Sequence, residues 1–200
     1  MKTLKLLSAA ATIAILAGGL SSQSQAATQD VDASITTRSA LSITKNSDMD
    51  FGQVDYTGAH SGTITLGTDG SIAATGTGLT TSGGSPTAGD LSVTGDGASL
   101  INITCETSGI LEAAGGDQLT LQNTEISVNT GGAGTTFGLG TACAGIGSGA
   151  VAADLSANPT TEVLIGGEID ATGVGAIAES GAYSTTTGGG NPVTVDVVYQ

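Results

Sequence analysis

The sequence predicts an all-β fold, a single β-sandwich domain with glycine-rich loops, and three observations carry that reading. Short segments alternate apolar and polar residues with a period of two. Turn-forming Gly, Asn, Asp and Ser separate them at regular intervals. There is no Trp, and the apolar content comes mainly from Val, Ile, Leu and Ala, so the core is built from small and β-branched side chains.

Each expected strand has its own pattern. Val31, Ala33 and Ile35 alternate with Asp32, Ser34 and Thr36, and Leu41 and Ile43 resume the alternation before Met49-Asp-Phe51-Gly52. Ile64 and Leu66 precede Thr68-Asp69-Gly70, a hairpin signal that places Ile64 and Ile72 on paired strands. Further strands are expected at 90–95, 99–105, 119–128, 162–169 and 193–199. The last has Val193, Val195, Val197 and Tyr199 on one face, and Pro192 marks its start, where a missing N–H is tolerated. Glycine density marks 76–89, 131–149 and 173–190 as loops. Helix signal is confined to one or two turns at 150–157, stopped by Pro159.

Residues 1–26 read as a signal peptide: Lys2 and Lys5 form a basic start, an apolar run extends from Leu6 to Leu20, and Ser24-Gln25-Ala26 supplies the small residues of a cleavage site. The run is short for a membrane span, which needs roughly 20 apolar residues. Residues 27–200 are then one domain, exported through the periplasm to the cell surface or medium, with no membrane insertion after cleavage. All 18 acids lie in this part, against only Arg38 and Lys45. Nucleic acid and anionic membrane are poor partners for so acidic a chain. The acids are scattered, as on a solvated surface that maintains solubility. In an oxidising compartment Cys105 and Cys143 are expected to form one structural disulfide.

Catalytic constellations are missing from the pattern, and no enzyme activity is expected. The only histidine, His60, sits in a polar Gly-Ala-His-Ser-Gly stretch and reads as an ordinary exposed loop residue, and there is no Gly-x-Ser-x-Gly elbow. Gly145-Ile-Gly147 and Gly173-Val-Gly175 match a loose dinucleotide fingerprint, but neither sits between a strand and a helix. No cofactor is expected. Calcium is the one candidate ion, with Asp69 and Asp96 in glycine turns as its weak ligands, although no Asp-x-Asp-x-Asp-Gly loop is present.

Taken in order, several stretches resemble a known group. They are Leu41-Ser-Ile43-Thr-Lys45 running into Met49-Asp-Phe51-Gly52, Gly62-Thr-Ile64-Thr-Leu66 with Asp69-Gly70, and Gly84-Ser-Pro86-Thr-Ala88 leading to Leu91-Ser-Val93-Thr-Gly95. Ile101-Asn-Ile103-Thr104, Gly166-Gly167, Gly181-Ala-Tyr183-Ser184 and the terminal Val-x-Val-x-Val-x-Tyr strand follow. The chain resembles small secreted proteobacterial proteins classed as a domain of unknown function, related in pattern to fimbrial and spore-coat-U-like β-sandwiches. Cys105, Cys143 and the Gly188-Gly-Gly190-Asn-Pro192 stretch depart from that pattern.

The resemblance implies an immunoglobulin-like, pilin-like sandwich and a non-enzymatic structural subunit of a surface fibre, pilus-like assembly or extracellular matrix. Its partners would be further copies of itself, as a homopolymer, or a periplasmic assembly chaperone. Residues 27–37 are the candidate donor strand, with Val31, Ala33 and Ile35 as its buried face, and the alternative is that they form the first strand of their own sandwich. The competing functional expectation is a monomeric secreted binding module for calcium or glycan.

Overall fold

A computed structural model describes residues 34–97, 99–129, 140–155, 160–172, 177–178 and 180–200. The chain divides into two units, Met1–Thr36 and Thr37–Gln200. Of the first only residues 34–36 are described, and they form no strand. The expectations for the leader, Val31 and Ala33 lie outside the described residues.

The second unit is all-β, with no helix among the described residues. Its strands are β1 (Ser42–Ser47), β2 (Gln53–Leu66), β3 (Ile72–Gly83), β4 (Gly89–Thr94), β5 (Leu100–Cys105) and β6 (Gly109–Ala113). They continue with β7 (Gln118–Asn129), β8 (Thr141–Ala142), β9 (Val151–Asp154), β10 (Thr160–Asp170), β11 (Tyr183–Ser184) and β12 (Val195–Tyr199).

Strand β10 organises the larger sheet. One edge pairs with β7 along nearly its whole length, while the other pairs first with β4 and then, beyond residue 165, with β2. The change of partner coincides with a bulge between Gly166 and Glu168. A Cβ on Gly166 would collide with the Leu66 carbonyl oxygen, so the approach of β2 requires glycine there. Outward from β10, β4 carries β1, β2 carries β3, and β7 carries β6 and β8, with β11 beyond β6. The smaller sheet has the order β12-β5-β9, and every strand pairing among the described residues is antiparallel.

The two sheets face each other across a core that joins Val93, Ile126, Val163 and Ile165 of the larger sheet to Ile101, Ile103 and Ala153 of the smaller. These are the inward residues of alternating strands, as a sandwich demands. A second core lies inside the larger sheet, where the β2–β3 hairpin curls over β7 and β10 and buries Phe51, Ile64, Leu66, Leu79, Leu121 and Ile169. Met49 packs against both cores.

Four local expectations are corrected. The described part of the expected helix, residues 150–155, is not helical: β9 occupies 151–154, because pairing with β5 buries Ala153 opposite Ile101 and overrides the helix preference of alanine. The expected loop at 76–89 is largely strand, since β3 runs to Gly83 against β2. His60 is not an exposed loop residue but lies within β2, only 9% exposed. The terminal strand begins at Val195 rather than at Val193, and Val193 packs on the curled-sheet core instead.

Candidate functional site

The sandwich is open along one side, between strands β1 and β12, each of which ends its sheet with one edge unpaired among the described residues. Between them lies a cavity of about 610 Å³ whose lining includes the exposed Ile43 of β1 together with Leu91, Leu121, Ile165 and Val195, whose side chains lie in or against the core. A second cavity of about 720 Å³ continues towards Phe51, Tyr56, Ile64, Leu119 and Ile177. Met49, Phe51, Leu111 and Tyr183 line both, so the two form one trough. Three of the chain's five aromatic residues, Phe51, Tyr56 and Tyr183, border it.

The backbone of β12 presents a defined hydrogen-bonding edge to this opening. Glu106 N–H donates to the Thr194 carbonyl at 3.0 Å, and Gln200 N–H donates to the Leu100 carbonyl at 3.1 Å. Antiparallel bonding alternates along a strand, so Thr194, Asp196, Val198 and Gln200 turn their amides to β5. Val195, Val197 and Tyr199 therefore direct their N–H and C=O groups away from β5, to the unpaired side. The side chains of these same three residues point inward and are half-buried, which leaves this flank of the core only partly covered.

This edge is anchored by hydrogen bonds at both ends. At the start, a Glu106 carboxylate oxygen accepts Thr194 N–H at 2.9 Å. At the end, the Tyr199 hydroxyl donates to the Ser39 carbonyl and accepts Asp96 N–H, each at 2.7 Å. Arg38 lies 5.5 Å from the Tyr199 ring centroid and donates to the Gln200 carbonyl at 3.4 Å. Glycine at 95 is what lets the tyrosine in: a Cβ there would lie 2.7 Å from the hydroxyl oxygen and 2.8 Å from Leu41. The C-terminal strand and the chain entering β1 are thus tied at one point.

Strand β1, the opposite lip, is protected against pairing. Lys45 lies on it, a register shift separates Lys45 from Ser47, and Asn46 bonds sideways to Asp90 and Ser92. A lysine and a bulge are the usual devices that keep an edge from adding strands. Strand β12 has no register shift and, within its bounds, only Asp196 as a charge.

The disulfide joins Cys105, the last residue of β5, to Cys143, just after β8, with Cα atoms 5.2 Å apart. It fastens the strand that carries β12 to the larger sheet.

The remaining sequence candidates do not converge. Asp69 lies in the β2–β3 turn, its carboxylate engaged by the Ser71 hydroxyl and N–H, which hold it below the ordinary carboxylate range. Asp96 lies in the β4–β5 loop. No group of three or more His, Cys, Asp or Glu side chains that could hold a metal occurs among the described residues. Ile35 is 87% exposed. Sequence reasoning did not single out Met49, Phe51, Tyr56 and Tyr183 as lining one trough; the one available signal was the scarcity of aromatics, which makes each a conspicuous residue.

A family model matches residues 41–199, which spans β1 to β12 and begins where the sandwich begins. No curated protein and no solved structure matches the chain. The chain belongs to the family described as Domain of unknown function (DUF4402).

Proposed function

We propose that the protein is an exported, non-enzymatic structural subunit of a surface fibre, pilus-like assembly or extracellular matrix, and that it assembles by adding a strand to the outer edge of β12. The observation that carries this reading is the apolar trough flanked by an unpaired, pre-ordered edge. Such an edge supplies main-chain hydrogen bonds, and the trough beside it supplies side-chain pockets, which together are the requirements of β-strand addition.

The occupant is residues 30–37 of a neighbouring copy. Val31, Ala33 and Ile35 have the same spacing as Val195, Val197 and Tyr199, so three apolar side chains can enter the trough over roughly 17 Å of extended chain. Residues 27–38 reach roughly 40 Å when extended, enough to bridge from one domain to the next. The leader-like residues 1–26 and the disulfide support export to an oxidising compartment. The resemblance to fimbrial sandwiches supports the same reading.

Electron microscopy of the secreted protein tests it: filaments are expected, and discrete particles at every concentration would overturn it. The second reading, a monomeric secreted binding module, is favoured in its glycan form by Phe51, Tyr56 and Tyr183, which line the second cavity beside Asp50, Gln53 and Asp55. Its calcium form predicts heat and a raised melting temperature on calorimetric titration with that ion.

A further inference from the structure

The far end of the trough is bounded by Ile177, whose side chain is buried in the curled-sheet core. Two side chains hold this short stretch. Ile177 N–H donates to His60 Nε2 at 3.2 Å, and Ala178 N–H donates to Asp117 Oδ2 at 2.9 Å. The same Asp117 oxygen accepts the Tyr183 hydroxyl. On the other side of the imidazole, Nδ1 lies 3.0 Å from the Thr57 carbonyl oxygen.

These partners fix the state of the ring. A carbonyl can only accept, so Nδ1 carries the proton; a backbone N–H can only donate, so Nε2 is bare. This pair of partners selects one tautomer, Nδ1–H. A second proton has only Nε2 to occupy, where it would confront Ile177 N–H as donor against donor.

We propose that His60 is a pH-responsive latch on the trough wall: protonation at Nε2 releases Ile177 N–H and loosens the apolar side chain that closes the trough's far end. Histidine is the side chain that changes charge most readily between about pH 5 and 8. Tyr56, also on β2, meets the ring edge-on with centroids 5.2 Å apart. On β3, Gly78 lies against the His60 backbone, where an added Cβ would sit 3.3 Å from its Cα, and has no side chain to titrate. On β10, Asp170 turns its carboxylate to Thr172 N–H. Ala178 N–H remains on the Asp117 carboxylate, which the Tyr183 hydroxyl holds in place, so that anchor persists when Ile177 is freed and the opening is local. The latch stands on this geometry alone; its consequence for assembly rests on the trough being the docking groove.

The test uses the full chain. His60 is the only histidine, so its ring nitrogen resonances need no assignment. They are expected to report the Nδ1–H tautomer at about pH 7.5, with Nε2 gaining the proton on acidification. Amide exchange, corrected for its intrinsic pH dependence, should show Ile177 protection falling roughly tenfold between about pH 7.5 and 5, the weight of one buried hydrogen bond. In His60→Gln, whose side-chain oxygen accepts without titrating, protection should stay flat. An Nε2–H tautomer at neutral pH, or an equal fall in His60→Gln, overturns the latch. Should that variant not fold, wild-type protein with a protonated Nε2 and undiminished Ile177 protection overturns it equally. No docked strand enters either measurement, so the latch and strand addition can fail separately.

Discussion

Removing the disulfide has a calculable consequence for the part of the fold that matters most. Cys105 and Cys143 are separated by 38 positions, and the chain-entropy relation gives about 4 kcal/mol for closing a loop of that size. For a domain of this length, about 2–4 °C of melting temperature accompanies each kcal/mol, so the double variant Cys105→Ala/Cys143→Ala should melt roughly 8–16 °C lower. Cys105 is 2% exposed and packs in the inter-sheet core, so alanine there adds a small cavity loss. Reduction of the wild-type protein controls for this, since it opens the bond without deleting an atom of the core. Urea unfolding with and without reductant is the assay. A difference under about 1 kcal/mol would refute the reasoning and mean that the unfolded chain gains little freedom when the tie is cut. Because the bond fastens β5, amides of β12 should lose protection before those of β10.

Two further predictions concern stability. Tyr199→Phe removes the hydroxyl that joins Ser39 and Asp96 and should cost about 1–2 kcal/mol, while Gly95→Ala forces a Cβ against the same hydroxyl and should cost about 1–3 kcal/mol; because the sites touch, a double-mutant cycle by urea denaturation should be non-additive. The carboxylates of Asp69, Glu112 and Asp170 are held below their ordinary values, by the Ser71 hydroxyl and N–H, by the Gln118 amide and Gly189 N–H, and by the Thr172 hydroxyl and N–H respectively. A depressed carboxylate contributes stability above its unfolded value that is lost as pH falls through the folded one, so this contribution should disappear below the ordinary values of 3.8 and 4.5, and the Asp69→Asn variant should show a shallower acid loss in denaturation midpoints taken at descending pH.

Where alternation was strong, the sequence was a good guide. Ile64 and Leu66 before Asp69-Gly70 marked the β2–β3 hairpin, and Val195, Val197 and Tyr199 share the inward face expected of them. Where side chains were small or polar, it was not. Val54, Tyr56 and His60 face inward at alternate positions of β2, but Gly58 and the polar neighbours of His60 concealed the period. Strand β3 is largely exposed and rich in Thr and Gly, so it carries no burial pattern to detect, and the alanines of β9 imitate a helix. The trough was illegible for a different reason: its lips, β1 and β12, are separated by most of the chain, and only the strand order brings them to one opening.

The central claim is that β12 offers its outer edge to another strand, and it predicts an alternating pattern that can be read residue by residue. In protein lacking residues 27–37, the amides of Asp196 and Val198 should already be protected from exchange, while those of Val195, Val197 and Tyr199 should exchange freely. Adding a peptide of residues 27–38 should protect the second set and leave the first unchanged. Continued free exchange at Val195, Val197 and Tyr199 with saturating peptide, or protection appearing along β1 instead, would contradict the account.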